Sequence, residues 1–173
     1  MIKTRWALEK KNASSQVAWT GDQHGTEVNG LSAERSSREN LSILCVDDTK
    51  VNRLLLGAVL ESLGHRVDFG SNGREAVSMV MKGSYDLVLM DFQMPELDGI
   101  RATSMIRQLH PRIQTVTGRD LPIVIVTADP SSEARNASFD AGADGFLRKP
   151  LSLQDIRKTL VDYCQPIKHA GRR

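Results

Sequence analysis

From Leu41 onward the chain alternates short apolar runs with segments of helical period, five times over, and no other feature limits its fold so strongly. Leu41–Val46, Arg66–Phe69, Tyr85–Met90, Leu121–Thr127 and Gly145–Arg148 read as strands. Lys50–Ser62, Arg74–Lys82, Ile100–Leu109, Ser131–Ala141 and Ser152–Tyr163 read as the helices that follow them. The third and fourth strands carry Leu87-Val88-Leu89-Met90 and Ile123-Val124-Ile125-Val126. They are apolar at every position, not at alternate ones, which is the pattern of strands covered on both faces, as in a parallel sheet. Five β-α repeats therefore predict a doubly wound α/β domain on a five-stranded parallel sheet, the flavodoxin-like arrangement. The punctuation agrees. Gly64 ends the first helix, Asn72-Gly73 precedes the second, Ser131 or Ser132 caps the fourth and Ser152 the fifth.

The flanks differ in character. Residues 1–40 are rich in Ser, Asn, Gln, Gly and mixed charge, and read as a flexible extension. Lys3–Lys11 has length for one or two helical turns only, and both tryptophans, Trp6 and Trp19, fall in this part. Residues 41–165 form the predicted domain, and 166–173 a basic tail of the kind that is usually just solvated. The connection from Leu109 to Asp120 is long, as a surface insertion would be. With 40% hydrophobic residues the 173-residue chain has material for one core, and a net charge of +2 gives no electrostatic case for nucleic acid. Two cysteines make no disulfide framework, and Cys45, inside Ile43–Val46, reads as a small buried hydrophobe. The N-terminus has no apolar leader and no stretch reaches the ~18 apolar residues of a membrane span. The expectation is a soluble, cytoplasmic protein without a membrane segment.

In an open parallel sheet, ligands bind outside the carboxyl ends of the strands. Strand one ends in Asp47-Asp48, strand three in Asp91, strand four in Thr127-Ala128 and strand five in Lys149-Pro150. Three carboxylates, a hydroxyl and an ammonium thus converge on one rim. Clustered carboxylates raise one another's pKa unless compensated, and a hard divalent cation compensates them. Mg²⁺ suits an all-oxygen site of one or two carboxylates plus phosphate, while the lack of His and Cys argues against zinc. Lys149 offers a point charge to phosphate oxygens. Thr127 and nearby backbone N–H groups, Ala128 included, offer donors. The set predicts phosphoryl transfer to a carboxylate, with catalysis by positioning and charge neutralisation.

Val46-Asp47-Asp48, Leu89-Met90-Asp91-Phe92-Gln93-Met94-Pro95-Glu96-Leu97-Asp98-Gly99, Val126-Thr127-Ala128 and Phe146-Leu147-Arg148-Lys149-Pro150 closely resemble the receiver domain of two-component response regulators. The resemblance runs from Leu41 to about Gln165, and Asp48–Arg53 with Gln93-Met94-Pro95 is most similar to receivers of hybrid histidine kinases and phosphorelays. It implies a (βα)5 receiver fold in which Asp91 is phosphorylated. Mg²⁺ would be held by Asp47, Asp48, Asp91 and the backbone carbonyl of Gln93. Thr127 and Lys149 would contact the phosphoryl group, and the Lys149–Pro150 bond is expected to be cis. Thr127 and Phe146, the latter at a position often Tyr in the family, would form a two-state switch. The implied partners are a histidine kinase or histidine phosphotransfer protein and a downstream protein target. No DNA-binding domain is expected. The protein would be a phosphoacceptor that promotes only its own phosphorylation and dephosphorylation, not an enzyme acting on others.

The first helix adds a docking expectation. At about 100° per residue, Val51, Leu54, Leu55, Ala58 and Val59 share one stripe, assigned to the core. Leu56, Leu60 and Leu63 fall outside it, beside Asn52, and with Pro150 are expected to dock the histidine-bearing partner. Rival readings fit less well. A haloacid-dehalogenase motif needs a second Asp two residues after the nucleophile, where this chain has Thr49 or Lys50. A Rossmann turn needs glycines that Asp48–Leu56 lacks. A flavodoxin-like cofactor domain leaves the acid trio unexplained. A pure interaction module in which phosphorylation is incidental, or a receiver fragment of a hybrid histidine kinase, are the alternatives.

Overall fold

The computed structural model describes residues 40–109 and 120–164; the N-terminal extension with Trp6 and Trp19, the centre of the long connection and the basic tail lie outside the described residues. The chain order is β1 (Ser42–Val46), α1 (Lys50–Ser62), β2 (Arg66–Gly70), α2 (Gly73–Lys82), β3 (Leu87–Asp91), α3 (Gly99–Leu109), β4 (Ile123–Thr127), α4 (Ser132–Asp140), β5 (Gly145–Arg148) and α5 (Leu153–Cys164). The predicted elements are all present, with ends shifted by a residue or two. The sheet runs β2-β1-β3-β4-β5 and every pairing is parallel. None of the helices is long and apolar enough to cross a membrane among the described residues.

The uninterrupted apolar strands behave as their pattern requires. Successive side chains on a strand point to opposite faces. Leu44, Val46, Val88, Met90, Ile123 and Ile125 enter one buried cluster, shared with Ala76, Val80, Ala102 and Ile106 of α2 and α3. Ile43, Cys45, Leu87, Leu89, Val124 and Val126 enter the other, shared with Leu60 of α1 and Ile156 of α5. Edge strand β2 is mostly exposed, as an outer strand with one neighbour should be. Helix starts are capped where the sequence suggests. Asn72 accepts the Glu75 N–H, Ser131 accepts that of Ala134, and Ser152 exchanges bonds with Asp155 in a closed capping box. Gly64, at φ +90°, supplies the left-handed residue after α1 that other side chains adopt only with strain.

The assignment of faces on α1 is corrected by the structure. Leu60 is fully buried, and Leu56, Val59 and Leu63 pack on the same cluster. Val51, Leu54 and Leu55, expected in the core, are 61%, 55% and 64% exposed, and Ala58 is exposed with them. Two contacts go with this rotation. Gly57 lies so close to the Phe69 ring on β2 that a Cβ there would stand 2.4 Å from Cζ. Asn52, at the opening of the helix, faces Asp47. Leu56 and Leu60 follow Asn52 at four-residue steps, on the same side of the helix.

Candidate functional site

The chain leaves β1 to one side for β2 and returns to the other side for β3, so β1 and β3 flank the switch point where a crevice opens beyond the carboxyl ends. The residues after each strand are held by continuation of the ladder. The N–H of Asp47 donates to Gly70 O (3.2 Å), that of Phe92 to Val126 O (2.9 Å), and that of Lys149 to Thr127 O (2.7 Å). Asp47, Asp91, Thr127 and Lys149 are thereby brought to one rim by backbone geometry alone. The Lys149–Pro150 bond is cis, as expected. Gly99 is required beneath the site, since a Cβ there would stand 1.9 Å from the carbonyl oxygen of Asp91.

Asp47 and Asp91 are buried and Asp48 is exposed; each offers an oxygen within 4.8 Å of the others. The Lys149 ammonium sits between two of them, 2.6 Å from Asp47 Oδ2 and 3.0 Å from Asp91 Oδ1. Burial pushes the Asp91 carboxyl above its ordinary range; Lys149 draws it back, and the charges of Asp47 and Asp48 push it up again. Burial alone would lower Lys149, but its hydrogen bonds and charge contacts with Asp47 and Asp91 outweigh that and raise it. The Lys149 ammonium is therefore a fixed positive charge. It meets one oxygen of Asp91, and against the three carboxylates it leaves two negative charges uncompensated, the charge that a divalent cation balances. Three oxygen donors at that spacing, with no nitrogen or sulfur ligand among them, fit a hard divalent cation.

Gln93 and Asp48 line the same open hollow, with Met94, Pro95 and Asp98, so Gln93 stands at the mouth of the acid pocket. The buried Thr127 hydroxyl accepts the N–H of Asp129 at 3.0 Å. Phe146 pairs with Ile125 in the β4–β5 register and packs on the α2/α3 cluster. Thr127 lies two residues beyond Ile125 and so on the same face, with the guanidinium of Arg135 6.0 Å from the Phe146 ring centre. Ala128 and Pro150 are exposed and border a cavity of about 500 Å³ beside the pocket, walled by Leu55, Leu56, Val59 and Ile156. Of the residues expected to dock a partner, Pro150 is exposed. Leu60 is inaccessible, and Leu56 and Leu63 are committed to the core, for the reason given by the rotation of α1.

Cys45 lies behind Asp47 with its thiol pushed up to about 12 by burial and then by the Asp47 charge, so it is a buried apolar residue and no nucleophile. Asn52 and Arg53 were not singled out by sequence reasoning for a role. Asn52 donates to both oxygens of Asp47, and Arg53 to its backbone carbonyl. The available signal was an Asn five residues after Asp47, one helical turn before Leu56.

The family model of the response regulator receiver domain matches residues 43–161. A probable histidine kinase of Oryza sativa subsp. indica is 34% identical over 155 residues, covering 75% of this chain and 16% of that protein. The sensor histidine kinase RcsC of Escherichia coli K12 is 36% identical over 133 residues, 77% of this chain and 13% of the relative. The chain thus spans about one-seventh of the length of the curated relatives it matches. Among solved structures, the receiver domain of a Pseudomonas aeruginosa sensor histidine kinase, with magnesium ion coordinated in its active site cleft, superposes with a TM-score of 0.63 at 34% identity, covering 72% of this chain and 98% of that one. The receiver domain of the Saccharomyces cerevisiae response regulator Ssk1, solved with the histidine phosphotransfer protein Ypd1, superposes with a TM-score of 0.68 at 26% identity, covering 76% and 95%. By sheet order, by the acids and lysine at its strand ends and by the match over most of its described length, this chain belongs to the response regulator receiver domain family.

Proposed function

We propose that Asp91 is the phosphoacceptor of this receiver and that Asp47, Asp48, Asp91 and the Gln93 carbonyl hold Mg²⁺ beside it. The observation that carries the reading is the position of Asp91. Its carboxylate stands at the switch point, bonded through one oxygen to Lys149 and within reach of two further acids. An Asp91 oxygen attacks phosphorus in line. The bond from phosphorus to the donor's nitrogen or oxygen breaks, its electron pair leaves with the donor, and an acyl phosphate results. Lys149 is already seated against Asp91 and receives a phosphoryl oxygen without reorganising. Bound Mg²⁺ supplies neutralisation of the charge on the transferred group. Thr127 gives up its bond from Asp129 to donate its hydroxyl to the phosphoryl group, and Phe146, on the same face, moves into the space released. The chain acts in this way on itself only, in a cytoplasmic relay.

The donor is a histidine kinase or a histidine phosphotransfer protein, and a downstream protein reads the switch. The complex of Ypd1 with Ssk1 supports this choice. The docking surface is the exposed apolar stripe Val51, Leu54, Leu55 and Ala58 of α1 with exposed Pro150, adjacent to the pocket. In the test, the protein is incubated with a small acyl-phosphate donor and Mg²⁺ and its intact mass measured. One phosphoryl group is expected on the native chain and none on Asp91→Asn or in EDTA. Labelling that persists in Asp91→Asn would refute the assignment, and a native chain that is never labelled would leave an interaction module.

A further inference from the structure

Asp47 is the most heavily bonded carboxylate of the pocket. Its Oδ1 accepts the backbone N–H of Thr49 at 2.8 Å and Asn52 Nδ2 at 3.1 Å. Its Oδ2 accepts Lys149 Nζ at 2.6 Å and again Asn52 Nδ2 at 3.1 Å. Three donor groups thus hold Asp47, the Asn52 amide straddling both of its oxygens. Asp91 meets Lys149 through one oxygen, and the exposed Asp48 accepts only the Thr49 hydroxyl, at 3.2 Å, among the described contacts. Asn52 itself is exposed on the first turn of α1, and no core contact depends on it. Asn is also a weaker helix former than Leu or Ala at an interior position. What this side chain does is therefore done at Asp47.

We infer that Asn52 sets the cation affinity of the acid pocket by competing for Asp47. The inference rests on the reading of that pocket as a Mg²⁺ site. The amide straddles both oxygens of the carboxylate and turns the positive end of its N–H dipole toward the charge that attracts a cation. A cation that draws on either oxygen of Asp47 competes with it. Thr49 N–H and Lys149 still orient Asp47 when Asn52 is gone, so removing the amide frees the carboxylate without disordering it. Asn52 is thus a positioning residue that holds Mg²⁺ binding weak enough to be reversible.

The test is calorimetric titration of Mg²⁺ into the full chain and into Asn52→Leu, with thermal melting of both in EDTA. Asn52→Leu is expected to bind Mg²⁺ about tenfold tighter, the scale of a lost hydrogen bond to a charged group, and to melt no lower. The Mg²⁺ concentration that gives half-maximal labelling of Asp91 should fall by the same factor. A pocket merely loosened by the substitution would bind Mg²⁺ more weakly and need more of it. Equal or weaker binding by a folded Asn52→Leu, while the native chain binds, overturns the role of Asn52 and leaves the Mg²⁺ reading standing. A native chain that takes up no Mg²⁺ overturns both. Should Asn52→Leu not fold, Asn52→Ala carries the same expectations.

Discussion

Asp91 shows how one residue trades stability for chemistry. Its carboxyl is raised above the ordinary value of 3.8, first by burial and then by the charges of Asp47 and Asp48, with Lys149 only partly compensating. The fold therefore disfavours the ionised form that attack on phosphorus requires. The sign follows from linkage. A raised acid is favourable to the folded state below its unfolded pKa, and that contribution is lost as pH rises through the folded value. In EDTA, Asp91→Asn should melt above the native chain at pH 7, and the difference should shrink toward pH 4. Melting curves at several pH values check this, and a difference that is constant or grows in acid would contradict it. The four strand-end residues Asp47, Asp91, Thr127 and Lys149 were legible in the sequence because a strand's last residue is placed by the ladder that precedes it. Asn52 was not, because its partner is reached by a side chain across the β1–α1 turn.

At the scale of elements, α1 is the instructive case. It is apolar on nearly all sides, so hydrophobic spacing alone admits two rotations that differ by about a third of a turn. The closeness of Gly57 to Phe69 selects one of them. Asn52, Leu56 and Leu60 fall in one line, with a polar residue at the pocket end and the core below it. Two substitutions separate the faces. Leu60→Ala is expected to cost about 2–5 kcal/mol by emptying a fully buried site. Leu55→Asp, at a 64% exposed position, should stay within about 0.5 kcal/mol. Urea denaturation measures both. The second variant should also slow transfer from a histidine phosphotransfer protein while a small acyl-phosphate donor labels it as before. Equal loss with both donors, in folded protein, would move the docking surface elsewhere.

Across the whole molecule, the site depends on sheet order more than on any one contact. Strands β1 and β3 are neighbours in the sheet although α1, β2 and α2 separate them in sequence. Asp91 thereby comes to lie beside Asp47. The far side of the sheet is held by Arg107, near the end of α3. Its guanidinium donates to Gly142 O at 2.9 Å, Leu121 O at 3.0 Å and Asp144 Oδ2 at 2.7 Å. Asp144 in turn accepts the N–H of Ile123 at 2.7 Å. One side chain thus ties α3 to the start of β4 and to the turn before β5, across the long connection. Arg107→Ala is expected to cost roughly 1–3 kcal/mol, since it strips a carboxylate and two carbonyls of one donor group. A shift of under about 0.3 kcal/mol in urea denaturation would show that water replaces the guanidinium without loss.

The number and kind of the elements, the parallel sheet and the chemical identity of the rim were decided locally. Runs of four apolar residues, capping serines and an acid at the end of a strand act through the backbone within a few residues, and so they are readable in order along the chain. The rotation of α1, the fate of Leu56, Leu60 and Leu63, and the engagement of Asp47 by three donors were decided only when distant segments met. Each depends on what the facing surface offers. Phe69 on β2 and Lys149 after β5 are such surfaces, and no spacing within α1 or β1 encodes them.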